Sequence, residues 1–394
     1  MEWLFRMKLN RIYFIFLFLL FFLTLPSKAE IDFNFNGYLY NMSIYQKLND
    51  SYKELGFEIE KDNLLLNLSR LRIRPVLHFW DGGRLELHHE TNLLFSDFSS
   101  PLLINPDKTN RQAVKLNWKL ISNKSLILTH FIDRLYFKQS FENATLIIGR
   151  QNIAWGSGRI WQPTDLFNPI NPANFSKFEK DGADAVSFKY SFGSFTDLEL
   201  VCNLREKFSD YNFAGRFRTN FSEYDLAIMS GRFDKRIVLG GDFAGNFFGA
   251  GIRGEALFSS DESDISSNFV RFIFGLDYQF TSKLYCLIEY QFNGAGTTDK
   301  EKYDFERLFK CEIQNLNKNY VMASANYLIH PLVSLNLSLL SNLNDNSGYA
   351  SLLSAYSIFE NMNLRFGGIY FYGKEKTEYW YFSPSTYLLV EYYF

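Results

Sequence analysis

Apolar and polar residues alternate with period two along most of the chain, in runs of about 8–13 residues. In "FVRFIFGLDYQF" (269–280), Val270, Phe272, Phe274, Leu276, Tyr278 and Phe280 share one face, and Arg271, Gly275, Asp277 and Gln279 share the other. "LYCLIEYQFN" (284–293) repeats the pattern, with Glu289, Gln291 and Asn293 on the polar face. Strict alternation is the signature of a strand whose two faces meet different surroundings. Eighteen such strands are predicted, near 31–45, 62–79, 84–95, 125–140, 144–152, 184–192, 196–204, 211–220, 224–232, 235–243, 248–258, 268–280, 283–294, 319–330, 333–342, 349–358, 362–372 and 386–394.

The connections add independent information. Those after even-numbered strands are short, such as "WDGG" (80–83), "FEN" (141–143) and "TS" (281–282). The long ones, at 46–61, 96–124, 153–183, 259–267, 295–318 and 373–385, all follow odd-numbered strands. Short turns at one end and long loops at the other are what outer-membrane barrels show. The predicted fold is therefore all-β: a transmembrane antiparallel up-and-down barrel of about 18 strands (16–18), with the short turns periplasmic. A soluble sandwich or propeller would not explain the loop asymmetry.

Both ends of the chain fit this fold. Residues 1–29 read as a secretory signal peptide: Arg6, Lys8 and Arg11 precede the apolar run "IYFIFLFLLFFLTL", and Ser27, Lys28 and Ala29 follow as a cleavage site. Residues 30–394 then form one barrel domain. At the other end "STYLLVEYYF" places Leu388, Val390, Tyr392 and Phe394 on a lipid-compatible face. Tyr387, Leu389, Glu391 and Tyr393 take the face that tolerates water. In a closed barrel this strand must pair with the first, because lipid offers no hydrogen-bond partners.

Composition sharpens the picture in one respect. The mean hydropathy of −0.16 is too polar for a helical membrane protein, yet 18% of residues are aromatic, with 24 Tyr and 42 Phe. Aromatic girdles around an alternating wall account for both values. Cys202, Cys286 and Cys311 are an odd number at unrelated spacings and give neither a disulfide framework nor a metal motif. The net charge of −2 is uninformative, and no cofactor is expected.

Parity along the strands puts charge inside. "RLRIRP" (70–75) makes a ladder of Arg70, Arg72 and Arg74, and the following strand aligns Arg84, Glu86, His88 and Glu90. Arg134, Arg150, Arg216, Arg218, Arg253, Glu255, Arg271 and Glu289 are further inward, pore-lining candidates. With Lys138, Lys189, Glu199, Asp225, Asp277, Arg365 and Glu391 added, basic inward candidates outnumber acidic ones by a modest margin. Two expectations compete: cross-strand pairs that only hold the wall together, or a lumen that favours anions. A barrel of this size encloses an aqueous bore unless something plugs it.

One connection carries a motif. Residues 149–172 read "GRQNIAWGSGRIWQPTDLFNPINP". Gly156 and Gly158 admit unusual backbone conformations, and Pro163, Pro169 and Pro172 stiffen the path. Trp155 and Trp161 bring apolar area that a solvated loop does not need. Such a segment is expected to fold inward as a constriction, with Arg150, Arg159, Asp165, Asn168 and Asp181 supplying polar contacts; a lid without influence on solutes is the bland alternative.

The pattern GRQ-x-I-x-W-G-x-G…PTDLFNP, from Gly149 to Pro169, resembles one found in porin-like outer-membrane proteins, with a looser similarity to barrels that export acidic polysaccharide such as alginate. "EYQFNGAG" (289–296) and "SNLNDNSG" (341–348) echo it. The resemblance implies an outer-membrane channel and names no solute. The terminal strand resembles the signal read by the barrel-assembly machinery, carried by Leu388, Val390, Tyr392 and Phe394. Membrane lipid, that machinery and small hydrophilic solutes are the expected partners. Porins often form trimers, so an oligomer belongs among the expectations, although no interface is legible.

Rival functions find little support. An enzyme would need a nucleophile–base pair or paired carboxylates, and His78 and His330 sit beside short turns. His88 and His89 point to opposite faces and cannot share a metal from one strand; His88 with Glu86 or Glu90 remains the only local combination. Nucleic-acid binding lacks a basic surface with stacking aromatics. An exporter of acidic polysaccharide shares the fold and is the main alternative to a diffusion channel.

Overall fold

The computed structural model describes residues 31–49, 51, 61–97, 111–123, 125–168, 179–305, 308 and 313–394. The expected signal peptide and Cys311 lie outside them. Among the described residues nineteen strands run from β1 (Asp32–Lys47) to β19 (Ser385–Tyr393) in one antiparallel sheet. Each wall strand pairs with its sequence neighbours, and β3 (Gly83–Ser96) pairs directly with β5 (Leu126–Ser140). Eighteen strands thus form the ring. The additional strand, β4 (Asn117–Ser122), is attached to β5.

The ring closes where the sequence requires. β1 pairs with β19 from Tyr38↔Tyr393 to Gln46↔Ser385. The Gly37 and Phe394 backbones exchange hydrogen bonds of 2.9 and 3.0 Å. The Phe394 ring stacks on Phe35, with centroids 5.9 Å apart. A side chain at Gly37 would meet that ring at 2.7 Å, so the seam needs a glycine there. Closure leaves no unpaired sheet edge in the apolar phase.

Alternation sorts the faces as the sequence suggests. Phe272, Phe274, Leu276 and Tyr278 on β13 (Asn268–Gln279) are exposed on the outside, as are Leu388, Tyr392 and Phe394 at the C-terminus. Lipid-facing apolar positions of this kind are what a membrane barrel presents. Within the barrel, Leu389 corrects the assignment of its face to water. It is fully buried against Met42, Leu64 and Tyr40, because the inward surface near the seam is apolar on both β1 and β2 (Asn63–Trp80).

The wall is uneven in height. β1 and β2 have 16 and 18 residues, whereas β6 (Ala144–Gln151) and β8 (Asp197–Asn203) have 8 and 7. A tilted strand needs about 9–11 residues to cross a bilayer core. The deficit is met by residues 111–122: the Ile132 amide donates to the Leu116 carbonyl, the Asp184 amide donates to the Arg111 carbonyl, and β4 runs beside the upper half of β5, above the point where β6 ends.

Candidate functional site: the lumen and the segment after β6

The arginine ladder is a network of pairs. Arg72 is 2% exposed and touches Glu90 at 2.9 Å, Glu179 at 2.9 Å, and Asp133. Arg70 lies 2.8 Å from Glu90, Arg74 pairs with Glu179, and Arg134 lies 2.8 Å from Asp133. Asp133 and Arg134 reach this network together because the β3–β5 register shifts at His88/His89. Glu86 holds Arg84 at 3.2 Å and His88 at 2.9 Å. A polar recess of about 370 Å³ opens beside these groups, lined by Arg74, Glu86, His88, Arg134, Gln151 and Glu179 among others.

His88, Asp133 and Glu179 bring ligand atoms within 4.8 Å of one another, the spacing of a metal site. However, the Arg72 Nη2 atom contacts all three, lying 3.1 Å from His88 Nδ1 and 2.9 Å from Glu179. The cation these groups would attract is already supplied by the protein.

Further round the wall, Arg216 pairs with Asp242 at 3.1 Å, Arg218 with Asp197 at 2.6 Å, and Arg253 with Asp277. Arg271 donates to Asn293 at 3.1 Å and lies over the Phe269 ring. Arg150 requires a correction. It pairs in register with Leu135, which is 37% exposed, and shares a face with Ile148, which is 42% exposed. Its side chain is therefore on the outer face of the wall and does not line a pore. There it bonds Asp184 at 2.7 Å and donates to the Val114 and Ile132 carbonyls, covered by the 111–116 segment. A charge is tolerable on that face because protein, not lipid, covers it.

The segment leaving β6 packs first against the strands that follow β7 (Ala183–Ser191) and then against strands further round the ring. Trp155 donates to Glu199 at 2.9 Å and meets Phe167 edge to face, and both pack against Val201, Met229 and Phe233. Trp161 belongs to a different cluster, with Ile273, Tyr320 and Tyr349. Between the two tryptophans the backbone is held by carboxylates. Glu255 accepts from the Ser157 and Gly158 amides at 2.5 Å and from the amide and hydroxyl of Thr164 at 3.2 and 2.9 Å. Glu289 accepts from the Arg159, Ile160 and Trp161 amides at 2.9, 3.2 and 2.8 Å.

The PTDLFNP stretch closes on itself. Asn168 accepts from the Ile153 amide at 2.9 Å and donates to the Asp181 carbonyl. Asp165 is buried, which raises its carboxyl pKa, and Lys180 donates to it. Arg159 keeps an exposed side chain. Pro169 and Pro172 lie outside the described residues.

A further buried carboxylate ties the long connections together. Glu378, between β18 (Met362–Tyr372) and β19, accepts from the Leu316 amide at 3.0 Å, the Tyr320 hydroxyl at 2.5 Å and Asn342 at 2.8 Å. Its own amide donates to Asp345 at 2.9 Å. Burial lifts its carboxyl to about 7. Sequence reasoning passed over Glu378, Asp133 and Glu179; none of the three follows from strand parity, since two sit in connections and one beside a bulge.

Solved structures share this architecture. OccK8 (OprE) of Pseudomonas aeruginosa superimposes with a TM-score of 0.58 at 10% identity, covering 92% of this chain and 98% of that one. The fold is that of a porin. A BenF-like porin from Pseudomonas fluorescens Pf-5 gives 0.56 at 10% identity, over 92% and 98% of the two chains. Acinetobacter baumannii OccAB1 gives 0.55 at 8% identity, over 92% and 96%. No protein-family model and no curated protein matches the sequence. At such identities the likeness of this porin-fold chain to the solved structures concerns architecture, and residue roles have to be argued from its own side chains.

Proposed function

We propose that the chain is an outer-membrane channel for passive diffusion of small hydrophilic solutes, with the segment between β6 and β7 (Ala183–Ser191) as its constriction. The observation that carries this reading is the anchoring of residues 157–164 on Glu255 and Glu289, on strands five and seven places round the ring from β7. The outward apolar faces supply the lipid contact. Leu388, Val390, Tyr392 and Phe394, exposed or half-buried at the seam, are the surface the assembly machinery would read. Assembly into oligomers remains part of the proposal without assigned interface residues.

The anion preference suggested by the arginine ladder loses its simplest support, because Arg70, Arg72, Arg74 and Arg134 all have carboxylate partners. The reading is therefore a weakly selective channel. Purified protein in planar bilayers, with and without residues 153–182, tests it: the deletion should raise conductance, and a salt gradient should give a small reversal potential. Unchanged conductance would reduce the segment to a lid. A barrel that stays closed until an acidic polymer is added would favour export instead.

A further inference from the structure

Resting on the constriction reading, the geometry points to Glu255 and Glu289 as a two-point clamp that fixes the bore by holding peptide amides of the WGSGRIW segment. The two carboxylates are 3% and 1% exposed and lie on β12 (Ala250–Asp261) and β14 (Leu284–Asn293). Between them they accept seven donors: four on Glu255 and three on Glu289. Five of those donors are the consecutive amides of residues 157–161. Consecutive amides turned one way form a nest for negative charge. Here two nests lie side by side, each filled by a wall side chain.

The clamp explains the W-G-x-G spacing. Gly156 has φ +101°, and a side chain there would stand 2.6 Å from Glu255 Oε1. At Gly158 it would stand 1.9 Å from the Trp161 carbonyl oxygen and 2.8 Å from Ile273. Each glycine lets backbone come within reach of a carboxylate or fold tightly enough to present the next amides. The flanking tryptophans set the span, since Trp155 packs in a cluster drawn from β7–β12 and Trp161 in one drawn from β13–β18. Arg253 adds a bond of 3.1 Å to the Ser157 carbonyl while paired with Asp277.

Acceptor capacity is essential to such a clamp. A carboxylate offers only acceptors, whereas a glutamine of the same shape turns an NH2 group toward donors it cannot satisfy. E255Q and E289Q therefore change almost no volume but oppose donor to donor. The test combines both substitutions with a spin label on A154C, an exposed position in the segment, with Cys202, Cys286 and Cys311 replaced by serine. E289Q alone and G156A, which keeps both carboxylates, serve if the double variant fails to fold.

The clamp predicts a more mobile label in the double variant, an intermediate one in E289Q and G156A, and a rise in conductance of about twofold with a larger bore. An unchanged label overturns the clamp. A mobile label with unchanged or lower conductance leaves the clamp standing and overturns the constriction reading on which its role in the bore rests.

Discussion

Replacing Arg72 and Arg150 separately with methionine should reverse the order of damage that counting contacts would give. Arg72 touches three carboxylates and His88. Each of those carboxylates nevertheless keeps another cation: Arg70 on Glu90, Arg134 on Asp133, and Arg74 on Glu179. Removing Arg72 leaves three acids facing three arginines. The loss is some charge-assisted hydrogen bonds in a network that the substitution leaves matched, on the order of 1–3 kcal/mol. Arg150 touches only one acid, but among the described residues it is the one charged partner of Asp184. Without it that carboxylate retains the Val114 amide alone, 3.0 Å away. An uncompensated buried charge costs about 3–5 kcal/mol, so R150M should be the more destabilising by roughly 2 kcal/mol. Urea unfolding in lipid vesicles, followed by tryptophan fluorescence, measures both, provided the m-value is unchanged. Adding D184N to R150M should recover part of the loss, as expected when the cost is the stranded charge. An R72M loss equal to or larger than that of R150M would refute the charge-matching argument.

Two further outcomes follow from the loops and the seam. Burial raises the Glu378 carboxyl to about 7, so the folded loops favour its neutral form. That stabilisation is complete below the ordinary carboxylate range and is lost as pH rises through about 7. Protease cleavage in 294–318 and 373–384, taken as a ratio to E378Q, should rise between about pH 5.5 and pH 8; a flat ratio would contradict the assignment. Phe394→Ala removes the ring stacked on Phe35, and the folded, heat-modifiable band should fall more in cells than in refolding from urea. Equal losses in the two settings would make Phe394 a packing residue rather than an assembly signal.

The wall was legible because lipid and water impose opposite demands on alternate residues, and the observed strands depart from the sequence reading by only a few residues. The largest discrepancy is instructive. β11 (Arg236–Phe247) runs past the expected end at 243, and β12 starts at Ala250. Phe247 and the turn residue Phe248, at φ 50°, are both exposed, so an aromatic turn at the membrane edge reads as strand. β4 escaped because it lies within a long connection and, among the described residues, pairs along one edge only. For Arg150, the preference for placing wall charge inside conflicts with the face it shares with outward Ile148. That preference fails where another segment covers the outer wall, a contact between residues 111–116 and β6 that local sequence does not encode.

Counting lumen charges from sequence fails for a related physical reason. Parity singles out Glu255 and Glu289 as inward candidates, but their partners are backbone amides, which every residue other than proline carries and no composition reveals. Amide nests stabilise a carboxylate without cancelling its formal charge. The ladder arginines and Arg134, by contrast, share three acids among four cations, and one of those acids, Glu179, comes from a connection with no periodicity. The basic excess among the inward candidates is thus spread over cations most of which have carboxylate partners, while two acids beside residues 157–164 are held by amides. A strongly anion-selective reversal potential would require positive charge from outside this set, and Arg159, exposed beside the clamp, is the residue whose replacement by glutamine would then abolish it.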